Sequence, residues 1–398
     1  MTYVFRSSAL LAGFMSGTAL LVTPAAFAQT AAPSAPAAAN ADPMPDAPVV
    51  EPAFSTVATV AETPDSGTMK RADKDMATVL RKLGELGAKP IQSRSVEQAR
   101  TQPTPADAVM AVLKDEGKDP AALMAAMKVS KKDMTYPTAG GTQLVRIYTP
   151  ESAGSGPLPV IVYYHGGGWV IATVDTYEAS AMALAKKANA IVASVEYRHA
   201  PENKFPAAHE DAFAAYKWAL ANAGQFGGDP ARVAVAGESA GGNLAANVAI
   251  MARDGNVQKP THMLLVYPVA GTDMNTPSYI QNQNAMPLSK GAMGWFVDKT
   301  LAKPGDAKSP MLNLTTMVDL KGLPSATVIT DSIDPLMSEG KMLAEKLKAA
   351  GVPTAYRNYE GVTHEFFGMA PAVSDSEKAQ DAAAQDLREA FAGKPQAK

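Results

Sequence analysis

Apolar positions follow two rhythms along this chain. Before Met134 they recur at three- and four-residue spacing; after it they fall into short unbroken runs. From Lys70 to about Lys131, Met76, Val79, Leu80, Leu83 and Leu86 mark one helical face, and Ala106, Val109, Met110 and Leu113 mark another after Pro105. No Phe, Trp or Tyr stands in this stretch, so two or three short helices of Ala, Leu, Val and Met are expected to lean on something larger. Beyond Met134, β-branched and aromatic runs at 143–148, 158–164, 190–197, 232–236, 263–269, 326–330 and 354–359 predict strands. Several are apolar at successive positions, as strands buried on both faces require. Helical stretches are predicted between them near 176–189, 206–224, 240–254, 287–302, 338–350 and 375–392, with Gly351 and Gly393 at C-cap positions of the last two. Alternation of this kind predicts an α/β fold with a mostly parallel sheet covered on both sides. The last strand is expected at a sheet edge, open to pairing with a second copy as a homodimer.

The first sixty residues carry a different signal. Arg6 precedes an apolar, uncharged run at 9–22, and Ala26-Phe27-Ala28 puts small side chains where a signal peptidase reads, just before Gln29. A run of 14 residues is shorter than the ~20 a bilayer span needs. The expectation is export to the periplasm or beyond, cleavage after Ala28, and no stable membrane insertion after processing. Residues 29–65 are rich in Ala, Pro, Thr and Ser and too poor in large apolar side chains to offset their ordering entropy, as in a disordered linker. The expected division is therefore a signal peptide at 1–28, the linker at 29–65, a helical cap segment at 66–131 and a catalytic domain at 132–398.

Composition narrows the chemistry. The 398 residues are 46% hydrophobic with a formal net charge of −3, which supports a sizeable core and gives no basic footprint for nucleic acid. Zero Cys removes disulfides, thiolate metal sites and cysteine nucleophiles together. Histidine chemistry must use His165, His199, His209, His262 or His364.

Gly237-Glu238-Ser239-Ala240-Gly241 follows one predicted strand and opens the next helix. A serine at such an elbow sits in strained backbone, so its neighbours two residues either side must lack side chains. The turn lifts the hydroxyl above the sheet edge, at a helix N-terminus that favours developing negative charge. A Gly-rich helix start with a capping serine is the plainer alternative. His165-Gly166-Gly167-Gly168-Trp169 follows the strand at 158–164, and consecutive glycines leave N–H groups free to point at one anion. His165, at the strand end, reads as a structural partner of that loop.

With these motifs in view, the chain resembles the bacterial hormone-sensitive-lipase-like (family IV) esterases of the α/β-hydrolase superfamily. Tyr197-Arg198-His199-Ala200-Pro201-Glu202, Phe205-Pro206-Ala207-Ala208, Asp334-Pro335-Leu336 and Gly361-Val362-Thr363-His364 carry the resemblance with the two glycine motifs, over residues 70 to 393. It implies an eight-stranded, mostly parallel sheet, an N-terminal helical cap, a small-molecule ester substrate of short to medium acyl chain, and no metal or organic cofactor. Carried over by position, Ser239 is the nucleophile, His364 the base and Asp334 the orienting acid. Gly167, Gly168 and Ala240 give the oxyanion N–H groups, and Gly166, Trp169 and Glu238 are substrate-pocket residues. The order Ser…Asp…His fits this fold independently. Asp331 is the rival acid. His199 and His209 replace apolar family residues and read as surface or packing substitutions. Glu365 stands where the family commonly has glycine, and a carboxylate there is expected to raise the pKa of the base. Met337-Ser338 replaces a more polar pair, and Glu238 an Asp or Thr. Two rivals remain: an amidase or peptidase with the same triad, and a non-catalytic ligand-binding homologue. The cap is expected to form a shallow apolar lid over the serine, with Met76, Met110, Met124 and Met127 as its candidates and ordinary core packing as the alternative for each.

Overall fold

A computed structural model describes residues 66–151 and 156–393. The expected signal peptide and linker lie outside the described residues.

The helical segment opens with α1 (Ser66–Arg71), α2 (Lys74–Glu85), α3 (Val96–Thr101), α4 (Pro105–Asp115) and α5 (Pro120–Ala126). Five helices stand where two or three were expected, because caps divide them. Ser95 with Gln98 and Thr104 with Asp107 form capping boxes that start α3 and α4, with Pro105 in the first turn of α4. In α2, Met76, Val79, Leu80 and Leu83 are buried as the spacing predicts, but Leu86 lies beyond the helix end and is exposed. The buried face of α4 is Ala108, Val109, Val112 and Leu113, whereas Met110 points to solvent at 45% exposure.

Eight strands follow: β1 (Val129–Thr138), β2 (Gly141–Pro150), β3 (Leu158–Tyr164), β4 (Ile191–Val195), β5 (Gly228–Glu238), β6 (His262–Val266), β7 (Ser325–Ile333) and β8 (Thr354–Thr363). They form one sheet in the order β1-β2-β4-β3-β5-β6-β7-β8. β2 is antiparallel to both neighbours, and every pair from β4 to β8 is parallel. β1 starts within the expected cap segment, and the hydrophobic rhythm misses it. Residues 130–133 are exposed in succession, including Lys131, Lys132 and Asp133, because β1 is an edge strand that presents charge rather than apolar alternation. β6 ends at Val266, short of the predicted 269, because Tyr267 takes a positive φ of 32°. β8 forms the other edge.

Period-two alternation divides the central strands between two cores. Val160, Val162, Val233, Val235, Met263 and Leu265 face one side; Ile161, Tyr163, Ala234, Ala236, Leu264 and Val266 face the other. The remaining helices are α6 (Glu178–Ala188), α7 (Ala207–Asn222), α8 (Ala240–Asp254), α9 (Pro277–Gln281), α10 (Lys290–Thr300), α11 (Met337–Ala349) and α12 (Ser374–Phe391). α7, α8, α10 and α11 cover the first face; α6 and α12 cover the second, joined by α2 and α4. Among the described residues no helix is long and apolar enough to cross a membrane.

Candidate active site

Each reactive residue directly follows a strand at the carboxyl edge of the parallel sheet, the edge where open α/β sheets bind ligands. His165 follows β3, Ser239 follows β5, Asp334 follows β7 and His364 follows β8. β7 and β8 pair through Ile333 and Thr363, so Asp334 and His364 emerge side by side. His364 Nδ1 lies 2.7 Å from Asp334 Oδ2, and Nε2 lies 3.0 Å from Ser239 Oγ. A carboxylate only accepts, so Nδ1 carries the proton and Nε2 faces the serine hydroxyl as its acceptor.

The elbow geometry explains the glycines. Ser239 has φ 57° and ψ −119°, outside the regions L-residues favour. A Cβ on Gly237 would strike the Gly241 carbonyl, and one on Gly241 would strike the Tyr164 carbonyl and lie 2.5 Å from that of His165. These contacts hold the serine turn against the end of β3. Gly167 and Gly168 both have positive φ, and a Cβ on Gly168 would collide with Phe296 of α10. The N–H groups of Gly167, Gly168 and Ala240 donate to no acceptor among the described residues.

Asp334 is fixed from several directions. Its Oδ1 accepts from the Leu336 N–H at 2.8 Å, and its carbonyl accepts from Asn282 Nδ2 at 2.9 Å. Arg71 of α1 in turn donates to Asn282 Oδ1 at 2.8 Å, which ties the helical segment to the acid's backbone. Asn282 sits in a loop with no motif around it, so nothing in the sequence marks it. Asp331 is fully buried and neither carboxylate oxygen has a hydrogen-bond partner. Burial and the neighbouring Asp334 charge hold it well above the usual carboxylate range. The structure gives the imidazole to Asp334, and the rival carboxyl bonds to neither ring nitrogen.

Two expected pocket residues lie elsewhere. Glu238 is buried, its carboxylate accepting from Tyr163 OH at 2.6 Å and from Tyr267 OH, so it points away from any substrate. Burial, helped by the Glu365 charge and opposed by the two tyrosine hydrogen bonds, pushes it up to about 7. Gly166 packs against the Tyr177 hydroxyl and the Glu238 carbonyl. Trp169 does line a cavity, of about 20 Å³, with Val269, Met274, Met293, Leu301 and Leu312. Its walls come from the segment after β6 and from α10, not from the cap methionines. Met76 is buried beneath Thr363, Met124 and Met127 pack against the same core, and Met110 is exposed. Met76, Met124 and Met127 thus take the core-packing alternative, since this face of the helical segment packs on the sheet.

His209 is a buried packing residue, with Nε2 2.9 Å from Asn243 Oδ1 of α8. His262 lies at the opposite edge of the sheet, bonded to Ser325 and Thr327.

Glu365 takes φ 75°, a left-handed conformation that accounts for the glycine usual there. Its Oε1 accepts from Tyr177 OH at 2.7 Å and lies 4.0 Å from His364 Nε2. Tyr267 packs its ring 4.5 Å from the imidazole. Burial pulls His364 down, but Asp334, Glu365 and Glu238 together hold it above its ordinary value. Only neutral His364 can accept the serine proton, so the rate should rise with pH through a midpoint above about 6.5. Glu365→Gln should lower that midpoint while leaving the high-pH plateau within about twofold. A pH–rate profile of both proteins checks this; an unmoved midpoint would remove Glu365 from the electrostatics of the base.

A family model described as the α/β-hydrolase fold matches residues 161–368. The chain belongs to the hormone-sensitive-lipase-like α/β-hydrolases. It is 39% identical over 266 residues to carboxylesterase NlhH of Mycobacterium tuberculosis, covering 64% of this chain and 81% of that protein. It is 31% identical over 252 residues to an ethyl acetate hydrolase of Pseudomonas putida, covering 62% and 78%. An esterase structure from Pyrobaculum calidifontis superposes with a TM-score of 0.66 at 34% identity, covering 78% of this chain and 97% of that one.

Proposed function

We propose that this chain is a serine carboxylesterase that hydrolyses short- to medium-chain acyl esters through an acyl-enzyme on Ser239. The observation that carries the reading is the hydrogen-bonded line Ser239–His364–Asp334 beside three unused N–H groups. His364 Nε2 takes the serine proton as Oγ attacks the ester carbonyl, and Asp334 orients the ring and stabilises the imidazolium. The N–H groups of Gly167, Gly168 and Ala240 receive the charge on the carbonyl oxygen, each donor worth about 3 kcal/mol in the transition state. His364 then returns the proton to the departing alcohol and activates the water that deacylates the enzyme.

Chain length follows from the walls. The cavity lined by Trp169 and Val269 has space for about one water, and the Val269 N–H donates to the Ser239 carbonyl at 3.1 Å, which connects it to the serine turn. An acyl chain enters it by moving Met293 and Leu312, and gains about 0.8 kcal/mol per buried methylene until the walls stop yielding. A relative named for ethyl acetate, a two-carbon acyl ester, supports a small acyl pocket. In a series of chromogenic esters, kcat/KM should peak at about four to eight acyl carbons and then fall. Faster hydrolysis of emulsified long-chain triglycerides than of soluble short esters would overturn that specificity.

Export completes the proposal, supported by Arg6, the apolar run at 9–22 and Ala26-Phe27-Ala28. N-terminal sequencing of the extracytoplasmic protein should begin at Gln29; an intact Met1 on a cytoplasmic product would contradict it.

A further inference from the structure

A second cluster of ligating side chains stands behind the oxyanion loop and takes no part in the chemistry above. β3 and β4 run parallel with Tyr164 opposite Val195, so the next residues, His165 and Glu196, leave the sheet side by side. His199 follows three residues later. Glu196 Oε1 lies 3.7 Å from His165 Nε2 and 3.5 Å from His199 Nε2, and the three atoms lie within 4.8 Å of one another.

None of these approaches is a hydrogen bond. His165 Nε2 and His199 Nε2 are both sequestered from solvent without a partner. His165 is fully buried, and its Nδ1 lies 2.8 Å from the Gly166 carbonyl, which can only accept. That contact puts a proton on Nδ1 and leaves Nε2 facing a carboxylate. Each imidazole nitrogen faces the carboxylate at a separation too long for direct bonding and too short for an intervening water. Metal–ligand bonds of about 2.0–2.1 Å in a tetrahedral site separate the ligand atoms by roughly 3.3 Å, within a few tenths of both imidazole–carboxylate separations, and the two imidazole nitrogens lie within 4.8 Å of each other.

We propose that His165 Nε2, His199 Nε2 and Glu196 Oε1 form a binding site for a divalent transition-metal cation of the Zn²⁺ class. The donor set of two imidazoles and a carboxylate suits Zn²⁺ with water as the fourth ligand. Glu196 and His199 are 19% and 16% exposed at the side chain, which gives the cation a path and the water a place. Supporting contacts hold the ligands in position: Gly166 fixes the His165 tautomer, Val174 N–H donates to Glu196 Oε2 at 3.0 Å, and Tyr197 stacks on the His165 ring with centroids 4.4 Å apart. The other such trio among the described residues, Asp331, Asp334 and His364, belongs to the catalytic line. The cation would join the root of the oxyanion loop to the end of β4. Its role is therefore structural: it clamps the loop and does not activate substrate.

The test uses chelator-stripped protein titrated with Zn²⁺ alone, and with Co²⁺ as a spectroscopic probe. One equivalent should bind per chain, Co²⁺ should give the intense visible bands of a tetrahedral site, and saturating Zn²⁺ should raise the melting midpoint by about 3–6 °C. His199→Leu and Glu196→Gln should each weaken binding at least tenfold and abolish the melting shift. His199→Leu should keep ester hydrolysis within about twofold, which shows that it folds. Failure of the unsubstituted protein to bind one equivalent would overturn the site. So would binding that persists unchanged in both variants, because the metal would then lie elsewhere.

Discussion

Ser239→Ala should lower kcat by about 10⁶-fold, the scale on which removing the nucleophile of such a triad acts. The loss is large because the hydroxyl, the imidazole and the oxyanion donors act as one unit: without Oγ no acyl-enzyme can form. What remains is whatever the free N–H groups and binding give to attack by water. The folded state should be little affected. Ser239 Oγ makes one side-chain hydrogen bond, to His364, while the strained turn is held by Gly237 and Gly241 packing on neighbouring carbonyls. Alanine keeps the same Cβ at φ 57°. Initial rates beside a melting curve check both halves. Activity above about one per cent in a pure, folded variant would mean that another residue carries the acyl group.

The second large effect separates two neighbouring carboxyls. Asp334→Asn should reduce kcat by about 10⁴-fold, because an amide NH₂ cannot accept the Nδ1 proton and the ring turns to the wrong tautomer. Asp331→Asn should change kcat by less than tenfold, since Asp331 is bonded to neither ring nitrogen and burial beside Asp334 disfavours its charge. Both substitutions keep shape and volume, so the contrast isolates charge. Equal losses in the two variants would contradict the assignment of Asp334 as the orienting acid.

What could be read from the sequence divides along physical lines. Strands β3 and β6 are buried at every position because both faces are covered, and the apolar runs 160–164 and 263–266 are visible without an alignment. The serine elbow and the triple-glycine loop are visible because their backbones exclude side chains at fixed offsets. β1 is hidden because an edge strand presents charge. The pocket walls are hidden because they come from Val269, Met293 and Leu312, apolar residues brought together only by the chain's return over the sheet edge. Glu238 sits in a motif, yet its direction depends on Tyr163 and Tyr267 from two neighbouring strand ends, and spacing along one segment does not reveal that. The same holds for His199, which looks like a packing substitution until β3 sets His165 beside Glu196.

The nucleophile is tested most directly by a stoichiometric phosphonate ester with a p-nitrophenol leaving group, followed by intact mass and peptide mapping. Oγ attack at phosphorus releases one p-nitrophenolate and leaves a stable phosphonyl group on the protein. One adduct per chain is expected, on the peptide that carries Ser239, with ester hydrolysis lost in proportion. An adduct on a different residue, or a protein that turns over esters yet never acquires the label, would contradict the mechanism.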